Sequence, residues 1–376
     1  MKKNKILLVV PEISGGGAEK VMCLLARHLD KTKFTITLIV FGCQDQCFQA
    51  IKDVTVVFLG KKNMWGFFKV ILSLRSIIDS YHPEVVLSFL YYSNISVTLA
   101  QALSFNKPKL ILSARNYNEV GASRFKFLKL YLLKYAYTKA DMVIANAEKL
   151  NYLLREENKD KSEKFLTIYN PIDTHEIDVK SQEGVEDYVP RNNNFPRIIT
   201  VGRLEKQKRQ DILLAAISEI LHSYNIPINL LIMGEGSLKR KLIILAKSLG
   251  IENNVDFIGF KLNPYPLIKQ SDIFVLSSDH EGFPNVLLEA MACGTPVIST
   301  DCNSGPNEII TDGQDGLLVP VGDSTTMAKK IVQLLSDENT RKLFAEKGLQ
   351  KANKFSVKSI IPQYEKAILN VIGEDK

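Results

Sequence analysis

Short runs of β-branched and aliphatic residues alternate along this chain with longer stretches whose apolar positions recur every three to four residues. That alternation predicts βαβ units on parallel sheets, because strands buried on both faces read as continuous apolar runs while their crossover helices are amphipathic. In the first half the predicted strands are KILLVV, TITLIV, TVVFL, EVVLSF, KLILSA and MVIAN; in the second they are PRIITVG, INLLIMG, VDFIGF, IFVLSS, PVIST and GLLVP. Between the two sets, YNPIDTHEIDVKSQEGVEDYVPRNNNFPR is rich in Pro, Asn and acids and poor in periodic apolar residues, so it reads as a linker between Asn170 and Arg197. The expected fold class is α/β, with two doubly wound parallel-sheet domains. Ligands collect at the carboxyl ends of parallel strands and pockets favour domain interfaces, so the expected site is a cleft between the domains.

Composition agrees with a folded chain of two domains: 376 residues, 45% hydrophobic and 24% charged, exceed what one core usually supports. Val85 to Asn106 carries no charge for 22 residues, yet its Ser, Thr, Asn and Gln content fits a buried strand followed by a helix better than a membrane span. Charge is uneven. Residues 1–170 hold 25 Lys/Arg against 14 Asp/Glu, and residues 171–376 hold 23 against 27. A basic first half is expected to face something anionic: a phospholipid surface, a phosphorylated ligand or nucleic acid. Five cysteines (Cys23, Cys43, Cys47, Cys293, Cys302) without a CxxC pair or zinc-like spacing read as reduced thiols of a cytoplasmic protein. The start, MKKNKILLVVPEI, reads as a first strand rather than a signal peptide, because its apolar run is short and meets Pro11 and Glu12 at once.

Four stretches carry candidate chemistry. SGGGAEK places Gly16 and Gly17 between a strand and a helix, where backbone N–H groups can approach a phosphate or sugar; a tight turn without ligand is the alternative. ITVGRLEKQKR sets Arg203 and Lys208 at a strand's carboxyl end, suited to a diphosphate, with Lys206 and Arg209 read as a solvated face. LLIMGEGSLKRKL repeats strand, glycine turn and helix at Gly234 and Gly236. EGFPNVLLE holds Glu281 and Glu289 eight residues apart, a spacing that Glu148/Glu156 and Glu338/Glu346 share, so spacing alone decides nothing. Context does: Pro284 suits the first helical position, which puts Glu281 in a loop at a strand end and Glu289 inside the following helix.

Taken as an ordered set, SGGGAEK, GRLEKQK, MGEGSL, FIGF with NPY, EGFPNVLLEAMACGTPVIST, SGPNEII and DGLLVP resemble the retaining nucleotide-sugar glycosyltransferases of family 4, of bacterial surface-polysaccharide or lipid-linked-oligosaccharide type. The resemblance implies a GT-B fold of two facing Rossmann-like domains: 1–175 binding the acceptor, 176–196 as linker, 197–354 binding the donor, and 355–376 as a C-terminal helix packing back toward the first domain. It implies that Arg203 and Lys208 bind the donor diphosphate and act with Glu281 in catalysis, and that Glu289 holds the ribose. Glu281 with the backbone of Gly282, Phe283, Pro284 and Asn285 would hold the transferred sugar, with Gly16, Gly17, Gly234 and Gly236 completing the donor site. The expected donor is UDP-linked. No Asp-x-Asp pair occurs, in keeping with a family that uses cations and helix ends instead of a metal, and no cofactor is expected. Many relatives have a His where this chain has Arg115, which cannot act as a base near neutral pH, so binding an acceptor phosphate is the expected role. His280, beside Glu281, is the one histidine near the expected site.

RFKFLKLYLLKYAYTKA interleaves Arg124, Lys126, Lys129, Lys134 and Lys139 with aromatic residues and has no acid, the pattern of a helix on an anionic membrane surface, with an ordinary packed helix of basic outer face as the alternative, and MWGFFKVILSLRSI adds to the same surface. The expected protein is therefore cytoplasmic, peripheral on the inner face of the cell membrane, acting on a polyprenyl-diphosphate-linked saccharide, with no nucleic-acid partner. Two other classes share these features: a sugar-nucleotide epimerase of the same fold, and a non-catalytic sugar-nucleotide-binding scaffold.

Overall fold

A computed structural model describes residues 3–13, 15–42, 51–60, 66–116, 125–184 and 195–374. Two compact units result, one of residues 1–171 with 357–376, the other of residues 172–356.

The first unit holds β1 (Asn4–Val10), β2 (Phe34–Val40), β3 (Thr55–Phe58), β4 (Val85–Phe89), β5 (Lys109–Ala114), β6 (Met142–Ala145) and β7 (Phe165–Thr167). All pair in parallel in the order β3-β2-β1-β4-β5-β6-β7. Six of the seven fall on the predicted runs. The seventh was not predicted, since three residues at a sheet edge, with Leu166 exposed, leave no apolar run to read. Every residue of β4 is buried, as a strand covered on both faces requires, and the uncharged stretch after it is the helix Tyr91–Leu103. Among the described residues no helix is long and apolar enough to cross a membrane.

The helix Val357–Ile372 closes this unit. Ile360, Ile361, Tyr364, Ala367 and Ile368 enter the core formed by β1, β2, β4 and the helix Gly17–His28. Two polar bonds reinforce the packing: Asp30 N–H donates to Glu365 Oε1 at 2.8 Å, and Asn4 Nδ2 to Glu374 Oε2 at 2.7 Å.

The second unit holds β8 (Arg197–Val201), β9 (Asn229–Met233), β10 (Val255–Gly259), β11 (Ile273–Leu276), β12 (Val297–Thr300) and β13 (Leu317–Val319). They pair in parallel in the order β10-β9-β8-β11-β12-β13, each on a predicted run. Part of the expected linker is ordered into this unit. Residues Thr174–Ser181 form a helix because Asp173 accepts the Glu176 N–H at 3.0 Å as its N-cap and Ile177 is buried. Residues 185–194 of that stretch lie outside the described residues.

Candidate active site

In the second sheet the chain winds one way from β8 through β9 to β10 and then returns to the other side of β8 with β11. β8 and β11 therefore flank the topological switch point, the place beyond the strand ends where open α/β sheets bind their ligands. The loops after these two strands are Gly202–Arg209 and Ser277–Pro284, and both carry sequence-predicted site residues.

Hydrogen bonds zip the two loops together. Asp279 N–H donates to Gln207 O at 2.8 Å, Gln207 Nε2 to His280 O at 2.6 Å, and Ser277 Oγ to Lys208 O at 2.8 Å. Arg209, in the left-handed region at φ 46°, adds Nη1 to Asp279 Oδ1 at 2.8 Å and Nε to Asp211 at 3.0 Å. Those bonds, to Asp211 first and Asp279 next, hold its guanidinium above its ordinary range. Arg209 is thus a structural tie rather than the solvated cation expected, because the left-handed turn brings its side chain back onto both aspartates. Lys206 is exposed, as read from the sequence.

The zipper brings Lys208 Nζ to 2.6 Å from Glu281 Oε1, with side chains only 16% and 9% exposed. The same oxygen accepts Ser278 Oγ at 2.6 Å, and the Glu281 main-chain oxygen accepts Ser304 Oγ at 2.5 Å. The residue expected to hold sugar and the residue expected to hold phosphate are therefore ion-paired with each other. Arg203 is exposed and forms no ion pair among the described residues; its main-chain oxygen is fixed by Gln210 Nε2 at 3.0 Å. Its charge acts on Glu205, whose carboxyl is held below its ordinary range, chiefly by the Ser237 N–H.

The helix after Glu281 runs Asn285–Ala292, one residue later than predicted: Pro284, with extended ψ of 90°, is its N-cap. Glu289 is therefore its fifth residue and, like Asn285, is buried. It lies toward Tyr265 and Cys293. Burial first, and the Glu289 charge second, push the Tyr265 hydroxyl well above its ordinary range and the Cys293 thiol up to about 12. The Phe283 ring is buried against Phe355 at 5.6 Å between centroids, which pins the loop at the start of the helix. Among the described residues no three His, Cys, Asp or Glu side chains converge as metal ligands.

The glycines have a packing reason that the sequence did not show. Gly234 sits at φ 141°, and a Cβ there would lie 2.0 Å from Gly202 O; a Cβ on Gly236 would lie 2.4 Å from Leu204 O. Backbone presses on backbone, and Leu204 N–H donates to Glu235 O at 2.9 Å, so the turn after β9 props the loop that carries Arg203.

In the first unit two expectations change. Gly16 caps the helix Gly17–His28, but its N–H donates to Glu19 Oε2 at 3.0 Å, so a carboxylate from within the helix takes the place expected for an anionic ligand. Arg115 is 6% exposed: its guanidinium stacks on Phe89 at 3.5 Å and donates to Asn170 Oδ1 and, at 3.4 Å, to Tyr364 Oη. It ties β4 and the C-terminal helix together, a use invisible in the local sequence because Tyr364 lies 249 residues away.

The basic stretch forms the helix Lys126–Lys139, with only Leu133, Ala136 and Tyr137 buried. Phe127 is 89% exposed and Tyr131 70%, with Phe125, Leu128 and Leu130 also exposed, so apolar side chains surround its first turns instead of forming one inward stripe. Lys126 and Lys134 are exposed, and Lys129 lies 5.8 Å from the Tyr91 ring. Phe68 and Leu72, on the helix Gly66–Tyr81, are exposed as well. Arg124, Met64 and Trp65 lie outside the described residues.

Sequence reasoning missed Ser278, Ser304, Gln207, Asp279 and Glu19. The signal available for the first was the polar Ser277-Ser278 pair closing an otherwise apolar run.

Comparison with known proteins identifies both halves of the chain. Residues 15–176 match the model of Glycosyltransferase Family 4, and residues 186–351 that of Glycosyl transferases group 1. The chain is 29% identical over 363 residues, covering 94% of itself and 96% of the relative, to the N-acetylgalactosamine-N,N'-diacetylbacillosaminyl-diphospho-undecaprenol 4-alpha-N-acetylgalactosaminyltransferase of Campylobacter jejuni. It is 28% identical over 375 residues, covering 98% and 99%, to the GalNAc-alpha-(1->4)-GalNAc-alpha-(1->3)-diNAcBac-PP-undecaprenol alpha-1,4-N-acetyl-D-galactosaminyltransferase of the same organism. Among solved structures, sucrose-phosphate synthase of Thermosynechococcus elongatus superposes with a TM-score of 0.83 at 19% identity, covering 99% of this chain and 100% of that one. Anabaena HepE in complex with UDP-glucose superposes at 0.78 and 20%, covering 97% and 99%. These structural likenesses establish the fold. With one domain model on each half, the chain belongs to the glycosyltransferases that join a Family 4 domain to a group 1 domain.

Proposed function

We propose that the protein is a retaining glycosyltransferase that moves a hexose or N-acetylhexosamine from a UDP-linked donor to a polyprenyl-diphosphate-linked saccharide, working at the inner face of the cell membrane in surface-glycan assembly. The observation that carries the reading is the Lys208–Glu281 pair at the switch point of the second sheet, with Arg203 exposed on the same loop. The names of the two Campylobacter relatives, both acting on undecaprenol-diphosphate saccharides, support the acceptor class.

As the anomeric carbon parts from the diphosphate, the electron pair of the breaking bond passes to the leaving oxygen. Arg203 and Lys208 would meet that charge, Arg203 bidentately and Lys208 as a point charge. Removing one such preorganised donor typically costs about 2.7 to 4 kcal/mol of transition-state stabilisation. Lys208 is balanced by Glu281, so an arriving diphosphate would share the ammonium and leave Glu281 to hold the sugar. The N–H groups at the start of the helix Asn285–Ala292 add to the anion-attracting field, and Glu289 would hold the ribose. Cations fill the charge-neutralising role here, so the mechanism calls for no divalent metal. Arg115 is left out of the acceptor site, since its guanidinium is buried in the first core.

For attachment, Lys126, Lys129 and Lys134 would supply roughly 3 kcal/mol at an anionic leaflet, about 1 kcal/mol each. Insertion of Phe127, Leu128 and Tyr131 would add an apolar component.

The test is transfer of radiolabelled sugar from UDP-N-acetylgalactosamine, UDP-N-acetylglucosamine and UDP-glucose to undecaprenyl-diphosphate-linked saccharide in vesicles, with the product anomer read by NMR. Transfer with retained configuration, lost in Glu281→Gln, is expected. Sugar interconversion without any acceptor would instead identify an epimerase, and nucleotide binding with no turnover a scaffold. Flotation with anionic vesicles should fail for the triple variant of Lys126, Lys129 and Lys134 to Glu; unchanged flotation removes the membrane assignment.

A further inference from the structure

We propose that Ser278 is a positioning residue for Glu281, and that it determines which carboxylate oxygen the donor sugar meets. This rests on the reading of Glu281 as the sugar-binding residue. Ser278 is fully buried and has one hydroxyl proton, which it gives to Glu281 Oε1 at 2.6 Å. Lys208 Nζ approaches the same oxygen at 2.6 Å. Both donors converge on Oε1, and Oε2 takes no hydrogen bond among the described residues. The carboxylate is thereby fixed about its last torsion, a soft two-fold rotation that burial alone does not lock.

Ser278 is itself held. Thr300, buried at the end of β12, donates its Oγ1 to Ser278 O at 2.6 Å. On the other side Ser304 Oγ holds the Glu281 main-chain oxygen at 2.5 Å. Thr300 and Ser304 thus extend the support from β11 to the neighbouring strand and its loop, so Glu281 is braced through both main chain and side chain. A residue needed only to fill the space would not have to be polar, whereas a buried hydroxyl is tolerated where its partner satisfies it. When a donor diphosphate shares Lys208, the Ser278 bond continues to hold Oε1 and leaves Oε2 for the sugar. Side chains that hold a reacting constellation within about half an ångström act in this way.

Full-length protein with UDP and UDP-N-acetylgalactosamine tests the proposal, by calorimetric binding of each and by rate of UDP release. Loss of a hydrogen bond to a charged group corresponds to roughly a 10- to 100-fold effect. Ser278→Ala is expected to lower kcat by that factor and to weaken UDP-N-acetylgalactosamine binding relative to UDP, with UDP affinity held within about twofold because UDP carries no sugar for Glu281. Ser278→Thr, which keeps the hydroxyl, should recover most of the loss. In a Glu281→Gln background, Ser278→Ala should change the ratio of the two affinities no further. Wild-type rates and ratios in Ser278→Ala, or an undiminished effect in the Glu281→Gln background, overturn the positioning role alone. If Glu281→Gln keeps full turnover and an unchanged affinity ratio, or the wild-type protein neither binds nor turns over the nucleotide-sugar, the underlying reading of Glu281 fails too. Should the Thr variant not fold, the double-variant comparison decides.

Discussion

Lys208→Met, Glu281→Gln and their combination would measure how strongly the ion pair ties the two loops of the second unit. The pair is short, 2.6 Å, and its side chains are 16% and 9% exposed, so it lies between two well-characterised cases. Exposed pairs contribute about 0 to 1 kcal/mol, whereas stranding one partner of a fully buried pair costs about 3 to 5 kcal/mol. With residual solvent contact at the lysine, about 2 kcal/mol of coupling is expected, each single variant losing at least that much and the double variant losing less than their sum. A chain of two units need not unfold in one step, so a global melting point is a poor readout. Hydrogen exchange of the amides of β11 and of the helix Asn285–Ala292 reports locally, and 2 kcal/mol there is roughly a 30-fold faster exchange. Lys206→Met, at an exposed position, serves as the control and should stay within about 0.5 kcal/mol. Additive losses, with coupling below about 0.5 kcal/mol, would refute the claim that the pair organises the site.

Gly236→Ala sets a methyl 2.4 Å from Leu204 O and so must displace the loop bearing Arg203; UDP affinity should fall on the order of 10- to 100-fold, while Gly184→Ala, whose methyl meets nothing within 4 Å, should be neutral. Arg115→Met should destabilise the first unit by about 3 kcal/mol and expose the C-terminal helix to limited proteolysis, with UDP binding unchanged; full stability with loss of lipid acceptor would return Arg115 to the acceptor site. Burial pushes the Cys23 thiol up to about 11 and those of Cys293 and Cys302 up to about 12, so thiol labelling resolved by mass spectrometry should be slow at these three at pH 8. Because the folded values lie above the ordinary thiol range, the unfolded chain loses these protons first. The stability they contribute is whole below about pH 9 and declines as pH climbs through 11 and 12, and a flat stability profile across that window would contradict it.

The sequence by itself determined twelve of the thirteen strands among the described residues, the division into two parallel-sheet halves, and the placing of Arg203, Lys208 and Glu281 beyond strand ends. These features are local: a buried parallel strand must be an apolar run, and a strand-to-helix turn must carry glycine, proline or a cap. The edge strand β7 and the helix Thr174–Ser181 escaped because each has too few apolar positions to show a period. Tertiary structure alone decided who meets whom. Lys208 and Glu281 stand 73 residues apart and pair only because β11 returns beside β8; Arg115 finds Tyr364 only because the last helix packs into the first core. Gly16 and Gly234 show the same division from within single loops, since the partners they meet in the folded chain are a neighbouring carboxylate and a neighbouring backbone. Periodicity records burial, whereas partnership depends on strand order, and strand order is a property of the assembled sheet.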